Sequence, residues 1–305
     1  MGATIMRRLL QAVPALFVVS VLVFAVVRLI PGDAAAVMAG PDASAEDIAL
    51  VRERLGLDQP VYVQYWEWIT AIFRGDFGVS LSTKRPVVVE ILPRALATLQ
   101  LTIAAMLVAV VVGVCLGVIA AYFSGRAADR VISAFGMLGV SMPSYWTGLM
   151  LVLLLSVTLR LLPTGGNILP GSWVMPVAVL ALHQAAMITR LTRSSFIEIL
   201  SQDYIRSARL KGVPERDVVV RHALPNGGVT MLTFTGVQLG HLLAGSVVVE
   251  VVFAWPGLGR LAVDALLVRD LPMVQIAVLF FAVAILLVNL ITDLLYVVID
   301  PRMGK

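Results

Sequence analysis

Polar and ionisable residues are rare in the long apolar segments of this chain, and each is a candidate for chemistry because burying charge in lipid is costly. Gln238, His241 and Glu250 belong to one such segment, where they could face a polar vestibule on a path across the membrane. The alternative for each residue is a polar group that a neighbouring helix satisfies. The spacing of these residues supports neither a metal site nor a proton relay.

Several kinds of catalytic chemistry lack their usual residues here. The single cysteine, Cys115, excludes an intramolecular disulfide and a multi-cysteine metal cage. The sequence has no Gly-x-x-x-x-Gly-Lys-Ser/Thr loop, so the chain has no evident means of cradling the phosphates of ATP. Serine protease (Gly-x-Ser-Gly) and metalloprotease (His-Glu-x-x-His) motifs are also absent. We therefore predict no enzymatic function and expect no cofactor bound by this chain.

The segments that hold the polar residues are long enough to cross a bilayer. Of the 305 residues 59% are hydrophobic and 14% are charged, more apolar than a soluble core requires. Six apolar runs are predicted to be transmembrane helices, at roughly 9–30, 97–123, 135–159, 173–193, 228–253 and 272–297. Pro143 interrupts the third run, so 131–142 could pack as a separate half-helix. The predicted fold class is all-α, a polytopic membrane protein with about six transmembrane helices.

Basic residues predict the orientation of the chain. The short segments that carry most Arg and Lys residues are expected on the cytoplasmic side, which places both termini in the cytoplasm. The first apolar run is too long for a signal peptide and no cleavage site follows it, so we predict a retained anchor. Accordingly, 1–30 would hold the N-terminal end and first span, 31–96 a periplasmic loop or subdomain, and 97–305 the core transmembrane domain.

A polar, basic insert between two apolar runs, residues 203–226, has the pattern of two short helices. The first is predicted over about Asp203–Lys211, and Gly212 would end it in the left-handed conformation of a helix C-cap. The second is predicted to start at Pro214 and to be ended by Pro225. A structured cytoplasmic insert of this kind indicates a docking site for a soluble partner.

The predicted outer loop is longer than an ordinary connection, and such loops are usually structured or functional. A helix is predicted from about Asp42 to Leu55, because a capping residue precedes apolar residues at helical spacing. The aromatic group that follows is typical of an amphipathic helix at the membrane interface: Tyr62, Tyr65, Trp66 and Trp68. The loop either docks a soluble substrate-binding protein or packs as a lid on its own subunit.

Small residues recur at four-residue spacing in two predicted spans. Gly113 and Gly117 lie on one face of the second span, and Gly236 and Gly240 lie on one face of the fifth. Such spacing lets helix backbones approach closely. We interpret both pairs as packing seams; the alternative is that one of them borders the translocation path.

The basic insert also resembles the EAA loop of binding-protein-dependent ABC importer permeases, which has a small-residue pair, a glycine and a later Leu-Pro. Ser207-Ala208, Gly212 and Leu224-Pro225 stand at these positions, whereas Arg206 replaces the usual leading Glu. The variant of the peptide and nickel branch, Tyr-x-Arg-x-Ala-x-x-Lys-Gly, is matched by Tyr204, Arg206, Ala208, Lys211 and Gly212.

This resemblance implies that an ATPase docks on the insert, and that the groove of this partner closes over the small pair Ser207 and Ala208. The basic side chains of the insert could form salt bridges with the ATPase or serve only as positive-inside anchors. The expected coupling residues are Asp203, Tyr204, Arg206, Ser207, Ala208, Arg209, Lys211, Gly212 and Pro225.

Five further segments resemble, in the same order along the chain, elements of the first permease subunit of dipeptide, oligopeptide, glutathione and nickel importers. They are Arg28–Asp33, Leu55–Pro60, Gly75–Gly78, Leu162–Gly166 and Trp255–Arg260. The resemblance implies the type I ABC importer permease fold and a heterodimer with a second permease. It also implies two ATPase subunits that use ATP and Mg, and a periplasmic substrate-binding protein.

The expected function is that of an inner-membrane permease subunit that moves short peptides inward, driven by ATPases. Dipeptides or oligopeptides are the first expectation for the substrate, glutathione the second and nickel chelates the third. A self-sufficient secondary transporter is the alternative, but it would normally show paired repeats with interrupted helices, and the only interruption in this sequence is at Pro143. The expected location is the bacterial inner membrane, in contact with lipid and not with nucleic acid.

Overall fold

Long helices dominate the protein, because in lipid a helix satisfies its backbone hydrogen bonds within its own segment. The computed structural model describes residues 2–29, 34–39, 43–54 and 56–299. In these ranges the helices are α1 (Gly2–Leu29), α2 (Ala34–Ala39), α3 (Ala45–Arg54), α4 (Val61–Phe73), α5 (Val87–Tyr122), α6 (Ala127–Ser141), α7 (Ser144–Leu151), α8 (Val174–Leu200), α9 (Asp203–Leu210), α10 (Glu215–Asp217), α11 (Leu224–Val252), α12 (Leu258–Leu267) and α13 (Leu271–Ile299). The described residues form no strand, which confirms the all-α fold class.

Four helices of the described residues are long and apolar enough to cross a membrane. They contain the segments Val87–Tyr122, Val174–Leu200, Met231–Val252 and Leu271–Thr292. The third predicted span meets the same test only as a bent helix pair, and the first gives a shorter apolar helix, Leu10–Val26. In the part of the chain that the structure describes, four helices therefore meet the test, or five if the bent pair is one span, and α1 is the further predicted span.

The bent pair consists of α6 and of α7 with its continuation, a wider π-type turn at Val152–Thr158. The helix axis changes direction by 103° between the two halves. Met142 and Pro143 both have extended backbone angles at the bend, as expected where a proline disfavours the helical conformation of the residue before it. The predicted half-helix before Pro143 is therefore confirmed, with α6 as its extent.

The helix predicted to end at Pro225 does not end there. α10 begins after Pro214 and passes through a π-type turn, Val218–Ala223, directly into α11. A π-type turn shifts the helical hydrogen bonds by one residue, so the missing N–H of Pro225 lies in the first turn of the α-helical register that follows. The second predicted helix is thus the first part of a long helix that continues to Val252, whereas α9 matches its predicted bounds.

The helices form two compact units. One is built mainly from Thr98–Trp255, and the other from Met6–Ala97 with Pro256–Leu286. The core of the first unit lies between α5, α8 and α11 and includes the edge-to-face pair of Trp173 and Trp255, whose ring centroids are 4.6 Å apart. The core of the second unit lies between the start of α5, α12 and the start of α13. The division into 1–30, 31–96 and 97–305 by side of the membrane stays a prediction.

Helices α3 and α4 occupy the predicted outer loop. Ser44 caps α3: its hydroxyl accepts a hydrogen bond from Asp47 N at 3.1 Å, and the Asp47 carboxylate accepts one from Ser44 N at 3.0 Å. The predicted ends of this helix, Asp42 and Leu55, lie outside the described residues, as does 30–33 of the Arg28–Asp33 segment.

Candidate coupling surface and translocation path

Helix α9 ends at a glycine in the left-handed conformation, as predicted. Gly212 has φ of +78°. Its N–H donates to Arg209 O at 3.0 Å, and Val213 N donates to Ala208 O at 3.3 Å, so that the last carbonyls of the helix are satisfied. A Cβ at Gly212 would meet nothing within 4 Å, so the cost of any other residue there is conformational strain and not a clash.

The underside of α9 is buried in the subunit itself. Ile205 and Ala208 belong to a cluster that also includes Phe196 of α8 and Met231 of α11. Ala208 therefore faces the interior of this chain, and the groove of a partner cannot close over it as predicted. The small side chain is required because α9 lies directly against two longer helices. Ser207, by contrast, is exposed.

Two predicted coupling residues are already paired within the insert. The guanidinium of Arg209 donates to Glu215 through Nη2 at 2.7 Å and through Nε at 3.2 Å, and this pairing raises the pKa of Arg209. Asn226 Nδ2 donates to the hydroxyl of Tyr204 at 2.9 Å. These contacts fix α9 against the start of the long α10–α11 helix, so Arg209 and Tyr204 stiffen the insert.

The remaining exposed side chains of α9 form the candidate coupling surface. Asp203, Arg206 and Lys211 are exposed, and the structure gives Arg206 and Lys211 no ion pair with any described residue. Leu210 lies among them and is 83% exposed. The sequence analysis missed Leu210, although helical spacing contains the signal: a residue two positions after the buried Ala208 must point away from the core.

The three candidate path residues have different environments. Gln238 is buried and donates from Nε2 to Oε1 of Gln184 at 2.8 Å, which joins α11 to α8. Glu250 is fully buried, and its carboxyl group accepts hydrogen bonds from Thr98 at 2.6 Å and Ser246 at 3.2 Å. His241 is exposed on α11. Gln238 and Glu250 thus match the predicted alternative of polar groups satisfied by neighbours, and His241 is available to a path.

The glycine pairs lie at close helix contacts. A Cβ at Gly113 would be 2.8 Å from Ile188 Cβ, and one at Gly117 would be 2.4 Å from Thr192 Cβ, so α5 and α8 approach too closely for any larger residue. At Gly236 a Cβ would lie 2.0 Å from Thr292 Cγ2 of α13. Gly240 is buried as well. The geometry supports the interpretation as packing seams.

An ion pair between a buried aspartate and a partly exposed arginine holds the helix that precedes α9. Arg193 of α8 donates to both carboxylate oxygens of Asp129 at 2.5 and 2.8 Å, and Asp129 also accepts from Gly125 N at 2.9 Å. Asp129 is buried near the start of α6. The sequence analysis did not identify this pair, because 64 residues separate its members and only the packing of α6 on α8 brings them together.

Metal binding has no structural support in the described part of the chain. No group of three or more His, Cys, Asp or Glu side chains in those residues could hold a metal ion. The geometry therefore offers one exposed coupling surface, one exposed imidazole on α11 and two tightly packed helix seams.

Comparison with known protein families identifies the family to which this chain belongs. Residues 113–305 match the family described as binding-protein-dependent transport system inner membrane component, and residues 1–102 match the N-terminal part of such a component. The chain belongs to this family. It is the inner-membrane permease subunit of a binding-protein-dependent ABC importer, a transport subunit and not an enzyme.

Two curated relatives agree with this assignment. The chain is 47% identical over 297 residues to the glutathione transport system permease protein GsiC of Salmonella choleraesuis (strain SC-B67), covering 97% of each chain. It is 46% identical to the protein of the same name from Escherichia coli (strain K12), again over 97% of each chain.

Two solved structures share the fold at low sequence identity. One is a chain of the MetNI methionine ABC transporter in an inward-facing conformation, with a TM-score of 0.58 and 18% identity over 70% of this chain and 98% of that chain. The other belongs to an amino acid ABC transporter, with a TM-score of 0.56 and 17% identity over 68% and 94%. They confirm the type I ABC importer permease fold.

Proposed function

We propose that this permease serves an importer of glutathione or closely related short peptides. The support is the identity of 47% over nearly the whole chain with permeases named for glutathione transport. The sequence analysis placed dipeptides and oligopeptides first, and these relatives favour glutathione within the same chemical class. Nickel chelates become the weaker candidate because neither the relatives nor the geometry of the described residues points to a metal.

The proposed assembly contains this chain, a second permease, two ATPase subunits and a substrate-binding protein. ATP and Mg are bound by the ATPases, and this chain binds no cofactor. Both termini lie in the cytoplasm, and the 203–226 insert faces the ATPases. Closure of the ATPases on ATP swings the permease helices from an inward-open to an outward-open arrangement.

The contact pattern of α9 is the observation that supports ATPase coupling. An ATPase that binds the exposed Arg206, Leu210 and Lys211 pushes on a short helix whose other face is packed against longer ones. Because protein interiors are densely packed, a displacement of Ile205 is transmitted to Phe196 of α8 and to the start of α11. The insert thereby converts movement of the ATPase into movement of helices that cross the membrane.

His241 is the proposed path residue. An exposed imidazole on a membrane helix is costly against lipid, so a polar path or a second permease is the favourable environment for it. Glutathione carries two carboxylates, and an imidazole can donate a hydrogen bond to either of them. Gln238 and Glu250 would then act behind this surface, by holding α11 to α8 and to α5.

The test is transport by the native complex. The tagged chain is purified gently with its partners, the subunits are identified by mass spectrometry, and the complex is reconstituted in vesicles. We expect ATP-dependent uptake of labelled glutathione, with competition by unlabelled glutathione and none by a nickel chelate. Uptake by the chain alone would overturn the importer in favour of a secondary transporter, and ATP-dependent uptake of the chelate alone would overturn the substrate.

A further inference from the structure

Helix α4 is amphipathic, and one part of its apolar surface is covered by its own unit. Tyr65 forms a hydrogen bond with Ser20 of α1 at 2.8 Å, and the ring of Phe24 lies 5.2 Å from Tyr65 and 5.6 Å from Trp68. Trp68 and Ile72 also pack against the core of the second unit. This inner stripe holds α4 firmly against α1 and that core.

A second apolar stripe of α4 is largely uncovered, with three exposed aromatic rings and the half-buried Ile69. Tyr62, Trp66, Ile69 and Phe73 are spaced four, three and four residues apart, which places them on one helix face. Tyr62 is 75% exposed, Trp66 67% and Phe73 85%. We call these four residues the outer stripe. Large aromatic rings that are exposed along one helix face of the isolated chain indicate that this face contacts something other than water in the membrane.

Polar residues occupy the other half of α4. Glu67 and Arg74 are exposed, and Gln64 donates to the carbonyls of Leu57 and Gln59 at 3.2 and 2.7 Å. The helix therefore has one polar half and one apolar half, and the outer stripe is the uncovered part of the apolar half. A helix with these two halves suits the boundary between water and hydrocarbon.

An exposed apolar surface of α1 meets α4 at Tyr65, which lies beside the outer stripe at the edge of the inner one. Phe17 of α1 is itself exposed and touches Tyr65, with ring centroids 6.4 Å apart. Leu10, Val13 and Leu22 of α1 are exposed in the same way, as expected for a lipid-facing helix of an inner-membrane permease. The apolar surface therefore runs from α1 onto α4 at the level of Tyr65.

The polar boundary of this surface is marked by Arg28. Its guanidinium lies 3.6 Å from the centre of the Phe24 ring and donates a hydrogen bond to Gln64 of α4. Long cationic side chains near helix ends typically place their charge at the headgroup level. Gln64 is thus at the polar level while Tyr65 reaches toward the hydrocarbon, as tyrosine and tryptophan do at membrane interfaces.

We propose that α4 is an interfacial membrane anchor, with the outer stripe immersed at the boundary between lipid headgroups and acyl chains. We place this anchor in the outer leaflet, and that placement rests on the chain orientation given under the proposed function. The contact between the outer stripe and lipid does not depend on that orientation. The anchor fixes the position of the residues before and after α4 relative to the bilayer surface. The occupant of the outer stripe is lipid and not a soluble protein, because the stripe lies beside the point where the lipid-facing surface of α1 meets α4.

The single native cysteine allows a direct test. In a Cys115→Ser background of the full complex, reconstituted in phosphatidylethanolamine and phosphatidylglycerol vesicles, spin labels are attached to Trp66→Cys, Phe73→Cys and the matched control Glu67→Cys. Collision rates with oxygen, which concentrates in lipid, are compared with those of a water-soluble nickel chelate. We expect the oxygen-to-nickel ratio at Trp66→Cys and Phe73→Cys to exceed that at Glu67→Cys by about fivefold or more.

Every other outcome overturns the anchor. Ratios equal to that of Glu67→Cys would place the outer stripe in water, and low collision rates with both reagents would place it under a protein partner. The measurement needs no transport, so an importer that fails to move glutathione can still confirm the anchor, and the reverse also holds. A second pair of labels, at Tyr62→Cys and Arg74→Cys, keeps the test available if the first variants fold poorly.

Discussion

Helices α4 and α9 are built alike and differ in what they leave exposed. Each packs one face on its own unit, and each ends at a left-handed glycine, Gly75 with φ of +81° and Gly212 with φ of +78°. Each also has the C-cap bond that crosses the last turn, from Asp76 N to Ala71 O in α4 and from Val213 N to Ala208 O in α9.

The exposed faces assign the two helices to different environments. α4 exposes three aromatic rings on one face, whereas α9 exposes Leu210 and part of Tyr204 among charged residues. Aromatic rings along one helix face suit a lipid interface, and a small apolar centre within a charged rim suits a protein partner. The C-terminal signals are the same in both helices, and the helices differ in the residues that their own cores leave free.

The largest expected effect comes from the support beneath α9. Asp129→Ala should lower the free energy of unfolding by about 2–3 kcal/mol, since it leaves the partly exposed Arg193 without its partner and Gly125 N without its acceptor. Thermal unfolding in detergent measures this. The double variant Asp129→Ala/Arg193→Ala is the control and should recover part of the loss; strictly additive effects would show that the two residues do not stabilise each other.

Two tryptophans of α4 should respond in opposite ways. Trp68→Ala should destabilise the protein in detergent by about 2 kcal/mol because Trp68 packs on Phe24 and the core of the second unit. Trp66→Ala should change the unfolding temperature little, because Trp66 is exposed. Equal losses for both variants would contradict the division of α4 into a packed and an uncovered stripe.

Leu210 should contribute to binding and not to folding. Leu210→Asp is expected to weaken binding of the ATPase subunit by about 2 kcal/mol, roughly thirtyfold, while the unfolding temperature stays unchanged. Titration of the ATPase against the reconstituted permease measures the affinity. Leu267→Asp, a substitution at another highly exposed leucine, is the matched control and should leave the affinity intact. Unaltered binding by Leu210→Asp would remove Leu210 from the coupling surface.

Gly212 and Gly75 provide a comparison at equal local strain. A valine at either position is forced into the left-handed region at a cost of about 1–2 kcal/mol, and neither Cβ meets an atom within 4 Å. Gly212→Val should impair ATPase binding and the stimulation of ATP hydrolysis by substrate-loaded binding protein, whereas Gly75→Val should retain both. Asparagine at either position tolerates the conformation better and should restore most activity. If Gly75→Val also lost ATPase binding, the two helices would not have separate partners.

The smallest expected effect is a pH dependence of protein stability at Asp270, which binds the loop that follows α4. Burial raises the pKa of Asp270, but hydrogen bonds from Ser80, Leu81 N and Ser82 outweigh it, so the pKa lies below its ordinary value. The stability that Asp270 provides is present above the unfolded pKa of about 3.9 and is lost as the pH falls toward the folded value.

Asp270→Asn should therefore be destabilising at pH 7, by about 1 kcal/mol, and the gap to the native protein should narrow as the pH falls below about 4. Unfolding temperatures of both proteins across this range measure the gap. A difference in unfolding temperature that is constant with pH would mean that the ionised carboxylate of Asp270 does not stabilise the contact with residues 80–82.

Local signals in the sequence predicted some elements closely and missed others. The bounds of α9 and the stop at Gly212 follow from residues next to one another, and so does the break at Pro143. Pro225 is the counterexample, because the same local signal predicted an end that the π-type turn before it removes. Whether a proline ends a helix depends on the hydrogen-bond register of the turn before it, which the local sequence does not show at Pro225.

For the candidate site, too, some features were predicted from the sequence and others were not. The chain type, the exposed basic side chains of the insert and the close seams at Gly113 and Gly117 were predicted from composition and spacing. The burial of Ala208 was not predicted, and for Gln238 and Glu250 the sequence left open the choice between a path and a polar group satisfied by a neighbour, since the residues that cover all three lie on other helices.

By itself, the sequence determined that this protein is a helical membrane permease with a structured basic insert, because hydrophobic runs, charges and capping residues act over distances of a few residues. Only the tertiary structure decided which face of each helix is free. Leu210, His241 and the outer stripe are exposed because neighbouring helices cover the other faces, and that choice depends on packing between residues far apart along the chain.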